Sequence, residues 1–313
     1  PHCINVMEIR HTISPEMELI DEVDYNDMDS MLARKIQQLM IFFSLLIPDM
    51  TNEEEQMLDE ALIKTYNEFG ITHDNNSLYA DATCFPPKLK KMPILGDLHK
   101  HLLENTMTTR IAAIVSRFVT GSAQSFNRQT NVDLTNKYIV LDISELTGDL
   151  LTVGMFMALD FVWDKAKENR TEEKAIFIDE CWQLIGASSN RLAAEFVLEI
   201  FKIIRGYGGA AIAATQDLND FFSLDGGKYG KGIINNAKTK IILNLEDDEA
   251  LRVQDALNLT DAEISNITRF ERGNGLISTN SNHITVEFKA SNLEKRLITT
   301  DRYELNQILQ EQQ

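Results

Sequence analysis

The sequence predicts an α/β protein, a mainly parallel central sheet joined to a helical subdomain. Two observations carry that expectation. From Tyr138 onward, short β-rich apolar runs alternate with longer amphipathic segments, the pattern of βαβ units. Those runs are apolar without strict alternation, as strands covered on both faces are. Upstream, residues 14–120 carry apolar side chains at helical rather than strand spacing.

Residues 1–10 read as a short extended segment. The stretch from Asp29 to Leu46 places Met31, Leu32, Ile36, Leu39, Met40, Phe43 and Leu46 on one helical face. Thr51 and Asn52, followed by Glu53, Glu54 and Glu55, start a second helix with acids in its first turn, and Gly70 stops it after Phe69. A loop holding Pro86, Pro87 and Pro93 follows, then helices near 95–104 and 106–119. Beyond it the pattern predicts strands at 138–143, 174–179, 210–215 and 240–245, helices at 148–168 and 189–207, and a hairpin of 275–279 with 284–289 around Asn280–Asn282. The polar end, NQILQEQQ, reads as a helix end or tail. The expected division is a core segment at 1–10, a helical subdomain at 11–120, the α/β core at 121–300 and a tail or helix at 301–313.

Composition narrows the function. The formal charge of −18 argues against a face spread along nucleic acid, which needs clustered Lys and Arg. Cys3, Cys84 and Cys181 are odd in number and far apart, which fits a reducing compartment better than a disulfide framework. His99 and His101, two apart on a helix, face different ways and make a poor metal pair. The longest apolar stretch, Leu39 to Ile47, is far shorter than the roughly 20 residues of a membrane span. The opening PHCINVMEIR has no initiator Met and no signal-peptide pattern, so the chain is expected to be a piece of a longer protein.

The chemistry centres on Lys174-Ala-Ile-Phe-Ile-Asp179-Glu180, an apolar strand ending in two acids. In an α/β sheet, ligands bind beyond the carboxyl ends of the strands. An Asp there can hold Mg²⁺ through its water shell, and the next Glu can polarise an attacking water. This is the Walker B pattern with a catalytic glutamate. The plainer reading is a strand that ends in a solvated acidic loop. Asp142, at the end of YIVLDIS, is a rival without an adjacent Glu. One βα unit after Asp179-Glu180 comes a second strand ending in Thr215-Gln216, where an amide can sense the γ-phosphate and the lytic water. The ordered series of strand-Asp-Glu, amphipathic helix, Arg-Gly-x-Gly-Gly and strand-Thr-Gln favours nucleotide chemistry. Cys181 and Trp182 are expected to pack beside the sheet without chemical work. No GxxxxGK(S/T) phosphate cradle occurs. Gly226-Gly-Lys-Tyr-Gly230-Lys231-Gly232 has the wrong spacing and no leading strand, and reads as a mobile loop. A phosphate-binding strand and helix are therefore expected upstream of Pro1.

Several segments together resemble the conjugative-transfer ATPases of type IV secretion, the fourth VirB component with its TraC and TraE relatives. They are INVMEI (4–9), YIVLDISEL (138–146), KAIFIDECWQLI (174–185), IIRGYGGAAIAATQDL (203–218), Asn235-Asn-Ala-Lys-Thr-Lys240 and Arg272-Gly-Asn-Gly-Leu276. The resemblance spans the chain and is most specific over 174–218. It implies a RecA-like P-loop NTPase core, ATP and Mg²⁺ as cofactors, and a homo-oligomer, expected to be a hexamer, at the cytoplasmic face of the bacterial membrane. There it would work with other type IV secretion components and a DNA or protein substrate, driving channel or pilus assembly and transfer. Residue by residue it implies Asp179 as the Mg²⁺ acid, Glu180 as the catalytic base, Gln216 as the sensor and Thr215 beside it at the nucleotide. Arg205, Arg269 and Arg272 are the candidates for a finger reaching a neighbouring subunit's site. Two other functions stay open on the residues: a HerA- or coupling-protein-like DNA translocase, and a non-catalytic scaffold of the same fold.

Overall fold

A computed structural model of the chain describes residues 2–10, 30–81, 88–280 and 282–311. It divides into two compact units, residues 1–230 and 231–313. In the first, helix α1 (Met31–Leu46) starts where Ser30 Oγ accepts the Ala33 N–H. Its face of Leu32, Ile36, Leu39, Phe42 and Phe43 is buried. Helix α2 (Asn52–Glu68) opens on a capping box in which Thr51 and Glu54 satisfy each other's backbone N–H. It ends at Gly70, whose φ of +68° suits glycine. Residues β1 (Tyr79–Asp81) and β2 (Lys88–Leu89) form a minimal antiparallel ladder that spacing did not reveal. Helices α3 (Leu95–Glu104) and α4 (Thr109–Val119) pack on one another, and α3 packs on α2. Residues 14–29 of the expected helical stretch 14–120, and Cys84, Pro86 and Pro87 of the expected loop, lie outside the described residues.

The segment 2–10 is no strand, yet Cys3, Asn5, Val6, Met7 and Ile9 are buried. Hydrogen bonds fix it: Cys3 N–H donates to Asn131 Oδ1 at 2.6 Å, Asn5 N–H to Thr130 Oγ1 at 2.9 Å, and the Asn5 amide to the Pro93 carbonyl at 2.9 Å. Beside it lies a buried charge cluster. Arg10 pairs with Asp164 at 2.8 Å and Asp160 at 3.7 Å, and Lys35 approaches Asp160 at 3.6 Å. Burial pushes the Lys35 amine down and the Asp160 carboxyl up, each partly countered by the other's charge.

Helix α5 (Asp149–Lys167) packs on α1 and leads to β3 (Lys174–Ile178). A short helix α6 (Trp182–Ile185) and the amphipathic α7 (Arg191–Ile203) follow, then β4 (Gly209–Ala213), which pairs parallel with β3. Gly208 makes the turn into β4 possible. Its φ is +71°, and a Cβ there would lie 2.7 Å from the Arg170 carbonyl oxygen.

Two expectations fail in this unit. Residues 138–143 form no strand; Tyr138 and Val140 are 86% and 69% exposed. An extended segment needs a ladder for its backbone groups, and no strand pairs with it among the described residues. Asp142 instead closes a local turn: its Oδ1 accepts the Ser144 N–H at 2.9 Å, which holds its carboxyl below the usual range. The glycine-rich 226–232 stretch is not a loop. After the short helix α8 (Leu218–Phe221) and one tight turn, Lys228–Asn236 is helix α9, with Tyr229 fully buried. Glycine serves packing here, since a Cβ at Gly230 would lie 2.5 Å from the Phe221 carbonyl oxygen.

In the second unit, β5 (Thr239–Ile242) ends before the expected 245 and pairs antiparallel with β6 (Asn274–Thr279). Strand β6 forms the expected hairpin with β7 (Asn282–Glu287), turning at Asn280 with φ +55°. Helices α10 (Asp247–Leu257) and α11 (Asp261–Ile267) lie between β5 and β6 in the chain. Helices α12 (Asn292–Ile298) and α13 (Arg302–Glu311) follow, and the expected polar helix end falls on α13.

Candidate functional site

The site begins with the parallel register of β3 and β4, which sets Ile178 opposite Ala213. The ladder continues past both strands. Ala214 N–H donates to the Ile178 carbonyl at 2.9 Å, and Cys181 N–H donates to the Ala214 carbonyl at 3.0 Å. Asp179-Glu180 and Thr215-Gln216 therefore leave the carboxyl ends of adjacent strands side by side.

Between them the backbone turns sharply. Glu180 has φ +49°, a left-handed conformation that costs a non-glycine residue roughly 1–2 kcal/mol. The Glu180 carboxylate is held at both oxygens. The Gln216 amide nitrogen donates to Oε1, and the Trp182 indole Nε1–H donates to Oε2 at 2.6 Å. Both donors are neutral, and each engages one lone pair of the carboxyl group.

Asp179 is exposed, and its Oδ1 accepts the Glu180 N–H at 3.0 Å. Thr215 turns to its own chain, its hydroxyl donating to the Asp217 carbonyl at 3.3 Å. Asp217 in turn caps α8 by accepting the Asp220 N–H at 2.8 Å. Cys181 is fully buried, and burial pushes its thiol up to about 12, so it stays a neutral packing group.

The structure thus brings together Asp179, Glu180 and Gln216, with Thr215 adjacent but locally bonded. Arg205 does not join them. It lies exposed in the turn of residues 204–207 that enters β4, at the opposite end of the strand from Gln216. Five strand residues span roughly 16 Å. Arg269 and Arg272 belong to the second unit, exposed in the stretch between α11 and β6. Trp182 is the residue the sequence reading missed. It is half-buried, and its polar edge is bonded to the acid. The available signal was an indole, a donor without an acceptor, two residues after a candidate base.

The model of the TraG P-loop domain family matches residues 108–304. VirB4 of Thermoanaerobacter pseudethanolicus is similar in structure over 94% of this chain and 77% of its own, with 25% identity and a TM-score of 0.78. The bacterial conjugative coupling protein TrwB shares the fold at 12% identity, with a TM-score of 0.51 over 93% of this chain and 74% of its own. Plasmid coupling protein TrwB in complex with ADP and Mg²⁺ is similar at 14% identity and a TM-score of 0.51, over 82% and 68%. No curated protein sequence matches the chain.

Proposed function

Because this chain belongs to the TraG P-loop domain family, we propose that it is part of the ATPase motor of a bacterial type IV secretion or conjugation system. ATP hydrolysis would drive channel or pilus assembly and substrate transfer. The observation that carries this reading is the meeting of Glu180 and Gln216 across two hydrogen-bonded parallel strands. A solvated acidic loop would not need its acid held at both oxygens.

Glu180 is the general base. Its carboxylate takes a proton from the attacking water through a lone pair not used by Trp182 or Gln216, a role that contributes typically about 10²–10⁴ in rate. Gln216 is the sensor, positioned to hydrogen-bond either Glu180 or an incoming phosphate and water. Asp179 fits the metal acid: it presents hard oxygens to solvent, and one of them meets only a backbone N–H. Magnesium bound with the nucleotide supplies charge neutralisation at the phosphate oxygens. The ADP and Mg²⁺ of the TrwB complex support ATP and Mg²⁺ as cofactors. Thr215 joins the nucleotide side only by releasing Asp217.

Arg205 is too far along β4 to serve its own chain's site, so its part in the proposal is to reach a neighbouring subunit, as are those of Arg269 and Arg272. A homo-oligomer, a hexamer in this reading, is the assembly that such a role for these arginines requires. The same reading places the protein in the cytoplasm against the membrane, docked on other secretion components. No helix among the described residues is long and apolar enough to cross a membrane. The segments 1–10, 11–120, 121–300 and 301–313 remain the proposed functional division, with catalysis in the third.

The test is steady-state ATP turnover by the full-length protein. Glu180→Gln should lower kcat by roughly two orders of magnitude or more while nucleotide still binds. Wild-type turnover in that variant would remove Glu180 from the mechanism.

A further inference from the structure

We infer that Trp182 is a positioning residue for the hydrolytic step, fixing the Glu180 carboxylate through its indole N–H. The inference rests on Glu180 being the base. Three observations lead to it. The Trp182 Nε1–H donates to Glu180 Oε2 at 2.6 Å, a close hydrogen bond. Glu180 sits in a left-handed backbone conformation, so its side-chain direction does not follow from the strand and needs a second constraint. The backbone that carries the indole is held: Trp182 opens α6, directly after the buried Cys181 whose N–H is tied to Ala214.

The two donors on Glu180 differ in kind. Gln216 is exposed, and its amide has both donor and acceptor ends, so it can exchange Glu180 for another partner. Trp182 is half-buried and can only donate. It cannot compete for the proton that Glu180 must take. Oε2 is therefore the anchored oxygen, and Oε1 is the one freed when Gln216 leaves. Trp182 sets the direction of the base, and Gln216 sets its availability.

Trp182→Phe keeps the ring and removes the donor. In the full-length protein kcat should fall roughly ten- to a hundredfold, the effect of losing one hydrogen bond to a charged group and the orientation it imposes. The KM for ATP and the affinity for a fluorescent ATP analogue should stay within about twofold of wild type. Introduced into Glu180→Gln, the same change should cause no further loss, because there is no base left to aim. A readout independent of turnover is the indole N–H resonance in ¹⁵N-labelled protein without nucleotide. The cross-peak that vanishes in Trp182→Phe should move in Glu180→Gln, where a charged acceptor becomes neutral.

A Trp182→Phe enzyme within about threefold of wild-type kcat, with Glu180→Gln still crippled, overturns the inference while leaving the base assignment intact. An unmoved indole resonance overturns it as well. If Glu180→Gln itself turns over normally, the base assignment falls first and takes this inference with it. Should Trp182→Phe melt lower or bind nucleotide more weakly, Trp182→His decides, because imidazole restores an N–H donor. Turnover above that of the Phe variant supports positioning; equal turnover overturns it.

Discussion

Helices α1–α4 and the β3–β4 pair lie in one unit and treat apolar side chains in opposite ways. Phe42, Phe43, Leu58 and Tyr66 are fully buried. On β3, Ile176 and Ile178 are buried, whereas Phe177 between them is 76% exposed, and Ile212 beside it on β4 is 37% exposed. The sheet pair is one-sided. The difference separates two regions: the helices bury their large side chains, and the strand pair carries the proposed site at its carboxyl end.

Substitutions can break or sharpen that contrast. The largest effect on stability belongs to the covered aromatics. Phe42→Ala should cost about 3–5 kcal/mol in denaturant unfolding, the combined loss of transfer energy and packing. Next is the buried charge cluster. Asp160→Asn leaves Lys35 buried without its nearest carboxylate, and should cost about 3 kcal/mol; pairing it with Lys35→Met should recover most of that loss.

A smaller effect sits at the start of α2. Thr51→Ala should cost about 1 kcal/mol by removing the cap. Glu54 there is held below the usual glutamate range, chiefly by the Thr51 backbone N–H and further by Arg110. Its folded pKa is depressed, so its contribution is present at neutral pH and is lost as pH falls through that lowered value. Melting curves of Glu54→Gln across the acid range should accordingly show a shallower loss of stability than wild type. The smallest effect is expected at Phe177. Phe177→Thr should change stability within about 0.5 kcal/mol, because little surface is buried there. A loss comparable with that of Phe42→Ala would mean that the open face of β3 is covered in solution.

The same contrast explains what was legible in the sequence. Helices α1 to α4 could be read because apolar spacing, the Thr51 cap and the Gly70 stop are local signals. The acid pair and Thr215-Gln216 could be read because their order along the chain maps onto adjacent parallel strands. Residues 138–143 could not be settled locally, since an extended run becomes a strand only when a distant partner supplies its hydrogen bonds. Glycines at 226–232 suggested a loop, yet Gly230 is there because Phe221 leaves no room for a Cβ. The Trp182–Glu180 bond could not be read because it depends on the left-handed turn at Glu180, and nothing in the residue type announces a positive φ.

The backbone bond from Cys181 to Ala214 has a mechanical consequence. It extends the β3–β4 ladder beyond the last paired strand residues, so the segments carrying the acid and the amide are bolted to a common platform. Neither can slide against the other without breaking the ladder in register. Side-chain rotation at Glu180 and Gln216 can then open or close the gap between them without breaking that ladder. Whatever large movement the protein makes, these two residues travel as a fixed caliper whose jaws open only by turning.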